Sequence, residues 1–299
     1  MKDSEYIVVE TCSQDKLLRE HQSACYSLLC EFDSVCKKLG IPYFLFAGTL
    51  LGAVRHEGFI PWDDDLDVIM LREDYERFLK EAPKVINEEQ FFLQKEYSDH
   101  WPMFFTKLRK NCTTCIEPYP PKDLKTHNGI YMDIFPCDNA FKSRIGQIIQ
   151  YLSSKVIIAK GLDKRGYITK SRCKKVFMCI CRVLPLKPFH AIVRGPKNRQ
   201  NIVHSFLGGA SKFSKNIYPS AYFNPQTVVM RKFETNEFPI SSNYDELLRI
   251  LYGEYNKLPP LEERKVKKHT VLVDLNRSYE DYEDYRKTLT FVSGTMSIR

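Results

Sequence analysis

Residues 61–70, Pro61-Trp62-Asp63-Asp64-Asp65-Leu66-Asp67-Val68-Ile69-Met70, set four carboxylates against the start of an apolar run. A chain keeps like charges this close to its core only if something offsets them. The β-branched and apolar residues 66–70 predict a strand, on which Asp65, Asp67 and Ile69 share one face while Leu66, Val68 and Met70 point into the core. Two carboxylates on one face, roughly 6–7 Å apart at Cα, can share one or two divalent ions and are costly to leave ionised together without them. A solvated acidic turn is the plainer alternative, since charge runs usually face water. An EF-hand does not fit: no Gly stands at the sixth position and no bidentate Glu closes a twelve-residue loop.

The chain has 299 residues, 43% of them hydrophobic and 13% aromatic, enough for one large core or two smaller ones. Met1-Lys2-Asp3-Ser4-Glu5 lacks the basic-then-apolar layout of a secretory leader, and no apolar stretch approaches the roughly eighteen residues of a membrane span. A cytoplasmic protein is expected. The ten cysteines are scattered, with Cys25, Cys36 and Cys179 inside helical apolar patterns, and read as reduced thiols. Cys112 and Cys115 have zinc-knuckle spacing, but no second Cys or His pair accompanies them.

The net charge of +8 is unevenly spread: residues 141–200 hold fifteen Lys or Arg and one acid, Asp163, for a net of +14, leaving −6 elsewhere. Such asymmetry implies a local anionic partner. No recognised nucleic-acid motif accompanies it, so nucleic acid is not expected. Two apolar-basic helices are predicted here, over 145–160 and 171–184. Basic amphipathic helices lie well on anionic bilayers; the alternative is ordinary helices with their bases in water.

Leu18, Cys25, Leu28, Leu29, Phe32, Val35, Cys36 and Leu39 fall at helical spacing and predict a helix over 15–39, ended by Gly40 and Pro42. A short strand over 43–46 runs into Gly48-Thr49 and a helix start, whose free N–H groups can hold a phosphate. A helix over 74–80 and strands over 91–97, 104–109 and 129–135 follow. In the last of these Asp133 is a lone carboxylate among apolar residues and needs a partner: a structural ion pair, a metal or a proton-transfer role. Beyond a turn at Gly208-Gly209-Ala210-Ser211, a strand over 230–238 and a helix over 244–252, opened by Ser242 or Asn243 and closed by Gly253, are predicted.

The continuous run from Phe46 to Asp67 (FAGTLLGAVRHEGFIPWDDDLD) resembles the signature of the LicD family of phosphocholine transferases. Met132-Asp133-Ile134-Phe135-Pro136-Cys137-Asp138 reinforces it, as do Asn243-Tyr244-Asp245, Leu251-Tyr252-Gly253 and Leu258-Pro259-Pro260. The resemblance implies an α+β fold: a nucleotidyltransferase-like mixed β-sheet flanked by helices, with a helical basic insertion. The expected organisation is a catalytic core over 1–140, the insertion over 141–225 as a possible membrane-facing region, and a segment over 226–299 completing the core.

By the same resemblance Gly48 and Thr49 would form the phosphate turn, Asp65 and Asp67 the metal pair for Mg²⁺ or Mn²⁺, and Asp133 the third carboxylate, as metal ligand or proton acceptor. Thr49 stands where the wider fold more often has Ser. Asp63 would assist; Asp64, on the opposite face if the strand extends backward, is left out. The activity implied is transfer of phosphocholine, or a related phospho-alcohol, from a CDP-linked donor such as CDP-choline to a hydroxyl of a glycan or lipid-linked precursor. Nucleotidyl transfer and a non-catalytic metal- or membrane-binding scaffold remain the alternatives. Arg55, His56, Lys107 and Arg109 are candidate phosphate contacts, against a salt bridge for Arg55, a plain loop position for His56 and an exposed strand face for Lys107 and Arg109. Trp62, Trp101, Tyr119 and Tyr131 are available to surround a quaternary ammonium.

Overall fold

The structure, a computed structural model, describes residues 12–98, 101–117, 126–198, 200–210, 212–264, 270, 272–282, 289–292 and 295–298. In chain order its elements are α1 (Cys12–Leu39), β1 (Phe44–Leu45), α2 (Ala47–Arg55), β2 (Asp67–Leu71), α3 (Arg72–Glu81), β3 (Phe91–Gln94), β4 (Thr106–Lys110), β5 (Thr114–Ile116) and β6 (Tyr131–Asn139). Three helices follow, α4 (Arg144–Lys164), α5 (Arg172–Val183) and α6 (Leu186–Arg194). The rest comprises the strands β7 (Ile202–His204), β8 (Ile217–Pro219), β9 (Val229–Phe233) and β10 (Asn236–Ile240), helix α7 (Tyr244–Tyr252), and the strands β11 (Leu272–Asp274), β12 (Leu289–Val292) and β13 (Thr295–Ile298), besides short 3-10 turns.

The main sheet is mixed and runs β1-β2-β6-β4-β3, with β7 and β8 added at the far end of β6. β2 and β6 are parallel, pairing Asp67 with Asp133 and Val68 with Ile134, whereas β4 meets β6 antiparallel, with Lys107 opposite Asp133. Because side chains alternate along each strand, these pairings put Asp67, Asp133 and Lys107 in one row on one face. The apolar stripe of α1 buries Cys25, Leu28, Leu29 and Phe32 completely. Phe32 meets Phe78 of α3 at 5.1 Å between ring centroids, and Tyr75 of α3 shares a 2.7 Å hydrogen bond with Thr106 on β4. Elsewhere Phe105 packs on Phe135 of β6 at 4.9 Å.

Several elements depart from the sequence expectation. β2 begins at Asp67, and Val68, Ile69 and Met70 are all fully buried. Ile69 therefore shares the face of Asp67 without sharing its surroundings: only the strand's first residue reaches the site. The expected strand over 91–97 ends at Gln94. The single strand expected over 230–238 is a hairpin, β9 and β10, whose turn holds Glu234 at φ 56°; lacking Gly, this turn carries no strong sequence signal. α6, unanticipated, starts just after Pro185 and tolerates Pro188 because it lies in the first turn.

The basic helical segment is followed by strands that join the main sheet. β7 pairs with the end of β6, Val203 opposite Asn139, and Tyr218 and Phe223 pack on Phe46 and Phe44 of the main core, at 6.3 and 5.5 Å between ring centroids. Residues 202–223 thus pack on the main core, as do Ile157 of α4 and Val193 of α6 within the basic helical segment.

Two close approaches hold α2 to the loop behind it. A Cβ on Gly52 would collide with the Gly58 carbonyl oxygen, which lies there because the His56 and Gly58 amides both donate to the Gly52 carbonyl. The β9–β10 turn then fastens the loop: Glu234 accepts from the Phe59 amide at 3.0 Å and donates its own amide to the Glu57 carbonyl at 2.8 Å. Gly52→Ala should accordingly cost about 1–3 kcal/mol, the range for overpacking, read as a lower denaturant midpoint with an unchanged m-value.

Candidate active site

The site is built where α2 begins beside the first residue of β2. The Phe46 amide donates to the Asp67 carbonyl at 3.0 Å, and the Asp67 amide donates to Thr49 Oγ1 at 2.8 Å. The buried Thr49 hydroxyl therefore ties the helix start to the acidic strand. Ala47 takes the left-handed conformation, φ 46°, unusual for a residue with a Cβ and frequent at functional turns. The first N–H groups of α2 have no intrahelical partner, and Ala47 and Gly48, at that helix start, line the cleft. Gly48 must be small, since a Cβ there would sit 2.6 Å from Asp63 Oδ2.

Asp63, Asp64 and Asp65 each bring a carboxylate oxygen within 4.8 Å of the others. Asp64 belongs to this group, contrary to the expectation that a backward extension of β2 would turn it away, because residues 63–66 are loop and not strand. α1 holds that loop by its backbone: His21 Nε2 lies 2.9 Å from the Asp64 carbonyl, and Gln22 Nε2 donates to the Asp63 carbonyl at 2.8 Å. Both are nearly fully buried on the apolar stripe between Leu18 and Cys25. Sequence reasoning missed them, although two polar residues at core positions of an amphipathic helix are a readable signal.

Next in the row, Asp133 finds its partner in Lys107, 2.8 Å from its Oδ1, and Lys107 also reaches Glu117 at 3.4 Å. Arg109 donates to Gln94, to the Gly129 carbonyl and to Glu117, at 2.6, 2.8 and 3.2 Å. Lys107 is 1% exposed and Arg109 fully enclosed, which overturns the exposed strand face. Neither lines the cleft; Arg109 spends its donors internally, and Lys107 touches the site through Asp133. Trp101 and Tyr131 are turned to these cations, with Lys107 Nζ 3.2 Å from the Tyr131 ring centroid. They are therefore not open to a ligand ammonium. Tyr119 lies outside the described residues.

The electrostatics follow from this packing. Burial would raise Glu117, but Lys107, Arg165 and Arg109 together hold it down to about 2. Burial lifts Asp133, with Lys107 opposing, to about 6. Asp67 is pushed well above the usual carboxylate range, first by burial and then by Asp65, Asp133 and Asp63. The row is thus overloaded with negative charge at its open end and neutralised at its closed end.

The cleft, of about 480 Å³, is closed from the other side by residues far along the chain: Tyr252, Glu254, Tyr255, Lys257 and Glu263. Arg55 lines it and donates to the Tyr255 carbonyl at 2.6 Å instead of bridging to the aspartates. His56 lies behind Arg55, edge-on to Trp62 at 6.3 Å, and burial followed by Arg55 lowers its pKa, so it is neutral near pH 7. Trp62 lines the cleft, and the Arg264 guanidinium lies 5.9 Å from its ring centroid. Cys112 is exposed and Cys115 buried, and the aspartate trio is the one group among the described residues with metal-ligand spacing. All-oxygen donors suit a hard divalent cation.

Residues 40–155 match the family model described as the LicD/FKTN/FKRP nucleotidyltransferase domain. The chain is 30% identical over 268 residues to the lipopolysaccharide cholinephosphotransferase LicD of Haemophilus influenzae, covering 83% of this chain and 94% of that one. An uncharacterised protein of Rickettsia typhi is 28% identical over 145 residues, covering 48% of this chain and 44% of that one, and one of Rickettsia prowazekii 34% identical over 112, covering 37% and 40%.

The raised Asp67 has a measurable consequence in cation-free buffer. A carboxyl whose folded pKa lies above its unfolded value favours the fold below the unfolded pKa, near 4, and loses that advantage as pH rises through the folded one. Asp67→Asn should therefore melt higher than wild type at pH 7.5, by about 2–4 °C for each kcal/mol of repulsion removed. Its advantage should shrink toward zero at pH 4, as thermal melts across that range would reveal.

Proposed function

The chain belongs to the LicD family, and on that premise we propose that it moves phosphocholine from CDP-choline to a hydroxyl of a cell-surface glycan or its lipid-linked precursor. The observation that carries the proposal is Asp63, Asp65 and Asp67 gathered in one cleft at the start of a Gly-Thr helix, with Asp64 packed beside the first two. The sheet reads as nucleotidyltransferase-like, with an acidic strand beside that helix start and a third carboxylate on the neighbouring parallel strand.

Asp65 and Asp67, with Asp63 beside them, are the residues proposed to hold Mg²⁺ or Mn²⁺. When bound, such an ion neutralises the pyrophosphate and the departing CMP. The chain's own part is positioning. The N–H groups of Ala47 and Gly48 face a phosphate oxygen, and Arg55, fixed on the Tyr255 carbonyl, adds a positive charge at the cleft wall. The acceptor oxygen attacks the choline-bearing phosphorus, the phosphorus–oxygen bond to CMP breaks, and its electron pair leaves on the CMP phosphate. Asp133, whose charge Lys107 already offsets, is assigned the acceptor's proton.

Trp62, Tyr252 and Tyr255, with Glu254 and Glu263, supply what a quaternary ammonium requires: aromatic faces and negative charge, with no hydrogen bond demanded. Burial and then the aspartates push up the Tyr252 phenol, which supports placing this wall next to the reacting phosphate.

The test is a release assay with Mg²⁺ and, in turn, CDP-choline, CDP-ribitol, CDP-glycerol and CTP, with a glycan acceptor present. CMP from CDP-choline, reduced about 10²-fold or more in Asp67→Ala, is the expected result. Pyrophosphate from CTP would replace the proposal with nucleotidyl transfer, and CMP from another donor alone would change the alcohol. Trp62→Leu should raise KM for CDP-choline roughly tenfold, the worth of a 1–2 kcal/mol cation–π contact, while leaving the affinity for CMP unchanged. Equal loss for CMP would instead assign the ring to the cytosine.

A further inference from the structure

We propose that the outer face of α4 and α5 docks on an anionic lipid bilayer. α4 is inverted in polarity over its first turns. Gln147, Gln150, Ser153 and Ser154 are buried, whereas Ile145, Ile148, Ile149 and Leu152 are exposed, Ile145 by 73%. The buried glutamines have work inside. Gln147 donates to the Phe141 carbonyl, and Gln150 accepts from the Phe141 amide while donating to the carbonyls of Asn139 and Val193. The four aliphatic residues fall at i, i+3, i+4 and i+7, a single stripe on the other side.

α5 repeats the arrangement. Met178 and Cys181 pack inward against Val156 and Ala159 of α4, while Val176, Phe177, Ile180 and Val183 are exposed, Val183 by 81%. Their spacing of i, i+1, i+4 and i+7 is again one helix face. Two adjoining helices thus present eight large apolar side chains outward, more than scattered surface hydrophobes explain.

Charge selects the occupant. Residues 141–200 carry a net +14, and Lys142, Arg144, Arg172, Lys174 and Lys175 are exposed beside the two stripes. A second copy of this chain would bring the same +14 against it. A bilayer with anionic headgroups offers both things the face lacks: phosphates for the bases and acyl chains for the apolar stripes. The mode is lying on the surface. Among the described residues no single helix is long and apolar enough to cross a membrane, and α5 and α6, which together have the composition, bend by 101° between them.

The experiment floats the full chain with vesicles of phosphatidylcholine alone and of phosphatidylcholine with about one quarter phosphatidylglycerol. The wild type should bind the anionic vesicles and lose that binding roughly tenfold between about 0.1 and 0.5 M salt. The double variant Ile148→Glu/Ile180→Glu should lose at least roughly tenfold in vesicle binding, with its melting temperature and its CMP release on a soluble acceptor unchanged. Failure of the wild type to bind anionic vesicles overturns the inference, as does undiminished binding by the variant. A lipid-free wild-type dimer that the variant converts to monomer would overturn it in favour of self-association. Neither readout depends on which CDP-alcohol is the donor.

Discussion

The ion pair between Lys107 and Asp133 is the contact on which the rest of the site depends. It lies where three strands meet in register, Asp67 on β2, Asp133 on β6 and Lys107 on β4, with Lys107 enclosed and Asp133 partly open. Without Lys107 the carboxylates of β2 and β6 would face one another with only burial around them, and burial favours their neutral forms. Glu117, Arg109 and Arg165 extend the pair into a network under Trp101. Each charge there has an opposite charge beside it, the condition under which buried ions persist. The result is a graded face, neutral inside and acidic at the mouth.

Around that row, backbone contacts do most of the placing. The acidic loop is gripped through its carbonyls by His21 and Gln22, which leaves the aspartate side chains themselves turned together. Thr49 acts in the same way, spending its hydroxyl on the Asp67 amide. Backbone contacts of this kind fix where the carboxylates sit, and the oxygen donors they gather are of the type a hard divalent cation takes.

How much of this was legible varied with the range of the interactions. Helical spacing gave α1 almost whole, and Asn243 with Gly253 bracketed α7, because caps and periodicity are local. Strand alternation correctly put Lys107 and Arg109 on one face. It could not say that the face is covered, since the cover comes from Trp101, Glu117 and Arg165, of which only the first two are near in sequence. Asp64 was set on the opposite face because the strand was carried back three residues too far, into what is loop. The hairpin at Glu234 was read through as one strand because Glu-Thr is weak turn chemistry. The cleft's far wall was legible only in part: Trp62 stood out as an aromatic beside the acids, whereas Tyr255 gave no local sign of facing them.

That far wall carries a consequence for how the molecule is made. Arg55 is anchored on the carbonyl of Tyr255, two hundred residues later in the chain, and the loop after α2 is fastened by Glu234. During synthesis the acidic row and its helix emerge early, but the cleft has no second side until residues 252–263 follow. A chain that stops before Tyr252 therefore has its acidic row without the wall that closes the cleft. The cleft is completed only when segments two hundred residues apart in the chain have met.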